Sequence, residues 1–178
     1  EYNGSEVWVA RNWGRPLRYD ALALRAEEAS LRHAHLVVTI SDVLRDELIE
    51  RGVEAERIVT YPNCVDPERF DPERFTSAES NELRARLGIP ADATVATFLG
   101  TFGQWHGAET LARAIRTLHE RDPGFVGAHR LHFLFVGDGI GLPAVREATA
   151  GLPFVHLAGL VPQAEAVGYL AASACGTS

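Results

Sequence analysis

Residues 95–107 read Val-Ala-Thr-Phe-Leu-Gly-Thr-Phe-Gly-Gln-Trp-His-Gly, and this stretch decides the fold. Its first five residues form a run of strand length that is typical of a parallel strand covered on both faces. A glycine-containing loop follows the run. The spacing of Leu111, Ile115 and Leu118 then predicts an amphipathic helix over about residues 108–121. The stretch therefore predicts a strand, a loop and a helix in succession.

The same alternation continues towards the end of the chain. Apolar runs at residues 132–136 and 154–158 predict two further strands, and Pro143 suits the first turn of a helix between them. Residues 163–172 predict another helix. Strands joined by helical crossovers indicate βαβ units, so we expect an α/β fold with a Rossmann-like parallel sheet.

The first third of the chain carries a shorter version of this pattern. Residues 36–40 and 57–61 predict two strands, and Ser41 stands where the N-cap of a helix over residues 42–51 belongs. Two strands are too few to close a core alone. We therefore expect an exposed apolar face that includes Val37, Ile40 and Val59.

A proline-rich stretch separates the two parts. Three prolines within residues 62–75 oppose both helix and strand, which indicates a connector. Thr76 and Glu79 have the spacing of a capping box at the start of the next helix. The sequence thus predicts one structural part over residues 1–70 and a second over residues 76–178.

Composition excludes several classes of function. The chain of 178 residues has a net charge of −7, which argues against binding to nucleic acid. It contains no lysine, so no P-loop can form. Cys64 and Cys175 form no CxxC pair, so we expect two buried thiols. The histidines lack the spacing of metal ligands, so we expect no metal. With no apolar span of about 20 residues, we expect a cytoplasmic protein and leave open peripheral membrane attachment of a full-length parent.

The loop after the first predicted strand is a candidate anion site. Its glycines, Gly100, Gly103 and Gly107, allow close approach of a ligand to the main chain, and the following helix presents free N–H groups. Thr101 adds a hydroxyl and His106 a possible cation, which suits a diphosphate. An ordinary turn with a surface histidine would give the same pattern.

Two further loops follow the other predicted strands of this part. Gly137, Asp138 and Gly139 belong to a G-x-G-x-G sequence, which lacks the spacing of a dinucleotide fingerprint. Leu160 and Val161 lie in a turn whose main chain could contact a nucleobase. Because ligands of open parallel sheets bind at the carboxyl ends of the strands, we group these five residues as a nucleotide-binding candidate.

The segments together resemble family 4 glycosyltransferases. The resemblance rests on six stretches that occur in the family's order: residues 36–41 together with 57–66 and Phe70, then 84–90, 98–100, 106–107, 135–139 and 155–159. It implies a two-domain GT-B enzyme that transfers a sugar from a nucleoside-diphosphate sugar with retention of configuration and without a metal or other cofactor. The implied acceptor is a sugar, a lipid or another hydroxyl compound.

The resemblance also assigns the two parts. Residues 1–70 would be the end of the acceptor-side domain with the connector, and residues 76–178 the start of the donor-side domain. The chain would then be an internal fragment whose partner is the remainder of its parent chain. The family's paired glutamates, spaced eight apart, would lie beyond residue 178, so the catalytic residues are unknown and the fragment alone should be inactive.

Departures from the family pattern leave alternatives open. Thr101 and His106 occupy positions where the family usually has arginine and lysine on the diphosphate, and Cys64 replaces a glycine. One alternative is a non-catalytic nucleotide-binding α/β module. Another is a related epimerase or phosphorylase of the GT-B type, although a phosphorylase would need a pyridoxal lysine that this sequence lacks.

Overall fold

The computed structural model describes residues 1–13 and 16–177. The chain separates into two compact units, Glu1–Val65 and Asp66–Ser178, and each is described by itself. The helices and strands of the first unit are α1 (Glu6–Asn12), α2 (Asp20–His33), β1 (Val37–Thr39), α3 (Asp42–Glu50) and β2 (Ile58–Thr60), with a 3₁₀ turn at Ala55–Arg57.

The first unit packs its helices against a small parallel sheet. β1 and β2 pair in parallel, and one cluster of buried apolar side chains joins them to α2 and α3: Tyr2, Leu31, Val37, Leu48, Val53 and Ile58. The expected exposed face is wrong for Val37, which this cluster buries to 4% exposure. Ile40 is half-buried, and Val59 is exposed as expected.

Side chains satisfy the helix ends of this unit. Ser41 is the N-cap of α3, as predicted, and its Oγ accepts the Leu44 N–H at 3.2 Å. At the C-terminal end of α2, the Arg57 guanidinium donates to the carbonyl oxygen of Arg32 at 3.0 Å and also to that of Ala34. These carbonyls have no partner within the helix, so Arg57 ties the helix end to the start of β2.

The second unit contains the longer elements. A 3₁₀ turn lies at Pro72–Arg74, and the helices and strands are α4 (Ser77–Arg86), β3 (Thr94–Leu99), α5 (Ala108–Arg121), α6 (Pro123–Ala128), β4 (Leu131–Val136), α7 (Leu142–Thr149), β5 (Val155–Gly159), α8 (Gln163–Ala171) and β6 (Cys175–Thr177). The predicted capping box starts α4: Thr76 Oγ1 accepts the Glu79 N–H, and the Glu79 carboxylate accepts the Thr76 N–H. The bond from the Thr76 main chain holds the pKa of Glu79 below its usual value.

The strands of the second unit form one parallel sheet in the order β5-β4-β3-β6. The predicted α/β fold with a parallel sheet is therefore confirmed. The sequence analysis missed α6 and also β6, a short strand that pairs with β3. Both cysteines are exposed, so the expectation of buried thiols is wrong.

Three phenylalanines pack together in the core of the second unit. The ring centroid of Phe102 lies 5.5 Å from that of Phe98 on β3 and 6.1 Å from that of Phe135 on β4, and all three residues are at most 1% exposed. α5 covers them through Ala112 and Ile115. Because Phe102 belongs to the loop after β3, its burial fixes that loop to the core.

Candidate functional site

The three candidate loops lie side by side at the carboxyl edge of the second unit's sheet. β3, β4 and β5 are parallel neighbours, so the loops that follow them leave from the same edge. The Gly100 N–H donates to the Val136 carbonyl oxygen at 3.0 Å, and the Gly137 N–H donates to the Gly159 carbonyl oxygen at 2.8 Å. Main-chain hydrogen bonds thus join the start of the first loop to the end of β4, where the second loop begins, and the start of the second loop to the end of β5, where the third begins.

A second pair of bonds fastens the first two loops together. The Phe102 N–H donates to the Asp138 carbonyl oxygen at 2.9 Å, and the Gly141 N–H donates to the Phe102 carbonyl oxygen at 2.8 Å. A Cβ atom at Gly139 would lie 2.8 Å from the Phe102 nitrogen. The glycines of the second loop therefore let it approach the first loop, and its predicted contact with a nucleotide stays a prediction. Gly141, the last glycine of the G-x-G-x-G sequence, takes part in the same contact but was not among the predicted site residues.

His106 is held by two neighbours in its own loop. Its Nδ1 lies 2.7 Å from Thr101 Oγ1, and its Nε2 accepts the Trp105 Nε1–H at 3.1 Å. The half-buried imidazole thus uses both ring nitrogens inside the loop. This geometry differs from the free cation that the sequence suggested, and Trp105 is a residue that the sequence analysis did not single out.

Gly103 and Gly107 shape the passage from this loop into α5. A Cβ at Gly103 would lie 3.1 Å from His106 Nδ1, so the glycine leaves room for the imidazole ring. Gly107 adopts φ +78° at the N-cap of α5, and no side chain caps the helix there. The first turn instead borders a cavity of about 180 Å³, whose lining includes Gly103, Gly107, Thr110 and Ile140.

In the first loop, residues 100–107, the main chain supplies the positive potential. Residues 100–107 contain no arginine or lysine, and the nearest acidic side chain of α5, Glu109, is paired with Arg113. The 14-residue helix α5 directs the positive end of its dipole at the loop. Free N–H groups and hydroxyls are therefore the donors available to an anion here.

The second and third loops present a mixture of polar and apolar groups. The exposed Asp138 carboxylate accepts the Gly139 N–H at 2.7 Å. Leu160 projects into solvent with 80% of its surface exposed. The Val161 side chain packs against the core cluster of Val95 and Leu134, which leaves its main chain as the part able to face a ligand. The structure thus brings all ten predicted site residues to one sheet edge, and their binding roles stay a prediction.

Two histidines with lowered pKa values lie away from this edge. His132 and His156, on β4 and β5, stack with their rings 5.2 Å apart and share a hydrogen bond of 2.8 Å. Burial lowers the pKa of both imidazoles. Among the described residues, no group of three or more His, Cys, Asp or Glu side chains could hold a metal ion, and no helix has both the length and the apolar character to cross a membrane.

Comparisons with known sequences place the chain in a family. Residues 6–69 match the family model described as Glycosyltransferase Family 4. The chain is 32% identical over 164 residues to the D-inositol 3-phosphate glycosyltransferase of Saccharomonospora viridis, and the match covers 82% of this chain and 38% of that protein. The enzyme of the same name from Actinosynnema mirum is 31% identical over 157 residues, covering 76% and 36%. The chain thus spans less than two fifths of the length of these relatives.

Solved structures with the same fold agree with that placement. Anabaena HepE in complex with UDP and glucose superposes with a TM-score of 0.69 at 18% identity, covering 98% of this chain and 44% of that chain. WaaG, a glycosyltransferase involved in lipopolysaccharide biosynthesis, gives a TM-score of 0.69 at 16% identity, covering 98% and 47%. By sequence the chain belongs to glycosyltransferase family 4, and by fold it has the α/β architecture of the GT-B glycosyltransferases.

Proposed function

We propose that the protein acts in the transfer of a sugar from a nucleoside-diphosphate sugar to a hydroxyl acceptor, with retention of anomeric configuration. One observation carries the proposal: hydrogen bonds join three loops into one surface at the carboxyl edge of the second unit's sheet. Open parallel sheets bind their ligands at this edge. Membership of the family supports glycosyl transfer as the reaction.

The donor diphosphate is assigned to the loop of residues 100–107. Gly100, Gly103 and Gly107 shape its main chain, and Thr101 adds an exposed hydroxyl. The dipole of α5 stabilises a nearby negative charge by about 0.3–1 kcal/mol, and by up to about 2 kcal/mol when the site is partly buried. In place of the arginine and lysine that the family resemblance implies, this chain would bind the diphosphate with neutral donors.

The nucleoside is assigned to the neighbouring loops. Asp138 and the main chain of Gly137 and Gly139 lie beside the diphosphate loop, and Leu160 and Val161 follow β5. UDP is the first nucleotide to test, because HepE was solved with UDP and with UDP-glucose. On this assignment the second unit is the donor side, and the first unit belongs to the acceptor side.

The acceptor is proposed only as a chemical class. A sugar, a lipid headgroup or another compound with a free hydroxyl would serve, and the name of the relatives adds a phosphorylated inositol to the compounds to test. No cofactor is proposed. Retention is tested by determining the anomeric configuration of the glycoside formed by a protein that contains this sequence.

Titration calorimetry tests the donor assignment directly. UDP, GDP, ADP and UDP-glucose are titrated into the protein, once with EDTA and once with Mg²⁺. The proposal predicts that nucleotides of one base bind and that EDTA leaves their affinity for the protein unchanged. Absence of binding by every nucleotide, or binding only with Mg²⁺, would contradict it. Nucleotide binding without transfer to any acceptor, by a longer protein that contains this sequence, would favour the non-catalytic module.

A further inference from the structure

The hydrogen bonds around His106 have a defined direction. The indole Nε1–H of Trp105 can only donate, so His106 Nε2, which receives it at 3.1 Å, carries no hydrogen. With Nε2 accepting, the ring hydrogen lies on Nδ1, which donates it to Thr101 Oγ1 at 2.7 Å. Because Thr101 Oγ1 accepts from His106, its own hydrogen points away from His106 Nδ1 and can be donated to another acceptor.

We infer that Trp105 and His106 are positioning residues that orient the Thr101 hydroxyl as a hydrogen-bond donor to a bound oxyanion. The inference rests on the proposed function for the identity of that anion, the diphosphate of a nucleotide sugar. The hydrogen-bond direction itself rests only on the geometry of the loop. Thr101 would touch the ligand, whereas Trp105 would act through His106.

Packing holds in place the hydrogen-bonded series Trp105–His106–Thr101, called the relay below. Gly103 lies against the His106 ring, since a Cβ there would come within 3.1 Å of Nδ1 and 3.5 Å of the Trp105 ring. The His106 N–H also bonds to the Gly103 carbonyl oxygen at 3.2 Å, which closes the turn. Thr101 is exposed and lies one residue after Gly100, whose N–H is already bonded to the neighbouring loop.

The relay explains how the loop could bind an anion without a cation. A free hydroxyl rotor donates in any direction, and the bond from His106 leaves it fewer positions, which lowers the entropic cost of binding. In this arrangement the imidazole accepts from Trp105 and donates to Thr101, so both of its nitrogens are used within the loop. The affinity for a diphosphate should therefore depend on one oriented hydroxyl and on main-chain N–H groups.

The hydrogen-bond direction is tested on the ligand-free protein by ¹⁵N NMR of the His106 ring. We expect a protonated Nδ1 and an unprotonated Nε2 in the wild type. Trp105→Phe keeps an aromatic ring but removes the donor, so the form protonated at Nε2 should appear. Trp8→Phe, which changes another exposed tryptophan in the first unit, serves as the control and should leave the His106 signals unchanged. A protonated Nε2 in the wild type would overturn the inference.

Binding of inorganic pyrophosphate, measured by calorimetry, tests the positioning role. Thr101→Val should weaken it by about ten- to a hundredfold, since a hydrogen bond to a charged group is lost, whereas Thr101→Ser should bind like the wild type. Trp105→Phe should weaken it by about three- to tenfold. Equal affinity of the wild type and Thr101→Val would overturn the positioning role. If the wild type itself fails to bind, the proposed function and the positioning role both fall, while the NMR result still decides the hydrogen-bond direction.

Discussion

The main chains at Gly137 and Gly100 approach so closely that a Cβ atom at Gly137 would lie 1.9 Å from the Gly100 carbonyl oxygen. Gly137 also has φ +133°, which other residues rarely adopt. This contact joins the loop after β4 to the loop after β3. It makes the alignment of the candidate site depend on a position with no side chain.

Gly137→Ala should therefore destabilise the protein strongly. The new methyl group meets main-chain atoms that cannot rotate away, and the strained φ adds to the cost, so we expect a loss of about 3–5 kcal/mol in the free energy of unfolding. Urea denaturation measures it. Gly127→Ala is the matched control, because α6 is helical there and a Cβ would meet no atom within 4 Å. The control should be about 0.4–1 kcal/mol more stable than the wild type, and equal effects of the two changes would contradict the packing argument.

Two arginines on α5 should contribute unequally to stability. Arg116 donates to the Ala148 carbonyl oxygen at 2.9 Å and also to that of Ala150, which caps the end of α7. Arg113 is 73% exposed and pairs only with Glu109 among the ion pairs of the described residues. Arg116→Met should cost about 1.5–3 kcal/mol, and Arg113→Met about 0.5 kcal/mol or less. Thermal or urea unfolding of the two variants compares them, and a larger loss for Arg113→Met would refute the assignment.

The pair of His132 and His156 should make stability fall in mild acid. Burial, the largest cause, lowers both pKa values in the folded protein, although Asp92 near His132 and the Leu87 carbonyl near His156 oppose the shift. An unfolded histidine has a pKa of about 6.5. The unfolded state thus binds more protons, so the contribution is complete above about pH 6.5 and is lost as pH falls through that value towards the lower folded pKa values.

The double variant His132→Asn, His156→Gln isolates this effect. The amides can replace the shared hydrogen bond but do not titrate between pH 8 and 5. The free energy of unfolding of the double variant should therefore decrease less between those pH values than that of the wild type. Parallel curves for the two proteins would show that the pair does not carry the pH dependence.

The sequence predicted most of the fold of the second unit because its signals are local. The apolar run that contains Val95 and Phe98 is buried as a parallel strand must be, and α5 starts and ends where the pattern predicts. α6 contains two glycines in six residues, and because glycine disfavours helices, its sequence did not predict one. All three residues of β6 are exposed, and the strand is defined by its pairing with β3. Its sequence therefore has no pattern of buried apolar residues that would predict a strand.

The positions of the candidate site were predictable, but its internal contacts were not. Parallel topology alone places Gly100, Gly137 and Leu160 at one edge. The bonds of His106 to Trp105 and Thr101 depend on side-chain orientation, which the one-dimensional pattern does not contain. Burial of Val37 likewise depends on how α2 and α3 pack over β1.

Replacing His106 should separate charge from hydrogen-bond orientation. His106→Ala removes the partner of Thr101 and should weaken UDP binding by about three- to tenfold. His106→Lys also breaks the relay but brings a cation, so binding should be retained and should become more sensitive to salt. Calorimetry at low and high ionic strength measures both effects. Equal salt dependence of the wild type and His106→Lys would show that this position does not face the diphosphate.

The location of the diphosphate is the central claim, and titration of UDP into ¹⁵N-labelled protein tests it most directly. The account predicts that the amide signals of residues 100–110 shift together with those of residues 137–139 and 160–161, and that inorganic pyrophosphate shifts the first group alone. Saturable shifts confined to residues 1–65, or UDP binding that leaves residues 100–110 unchanged, would contradict it.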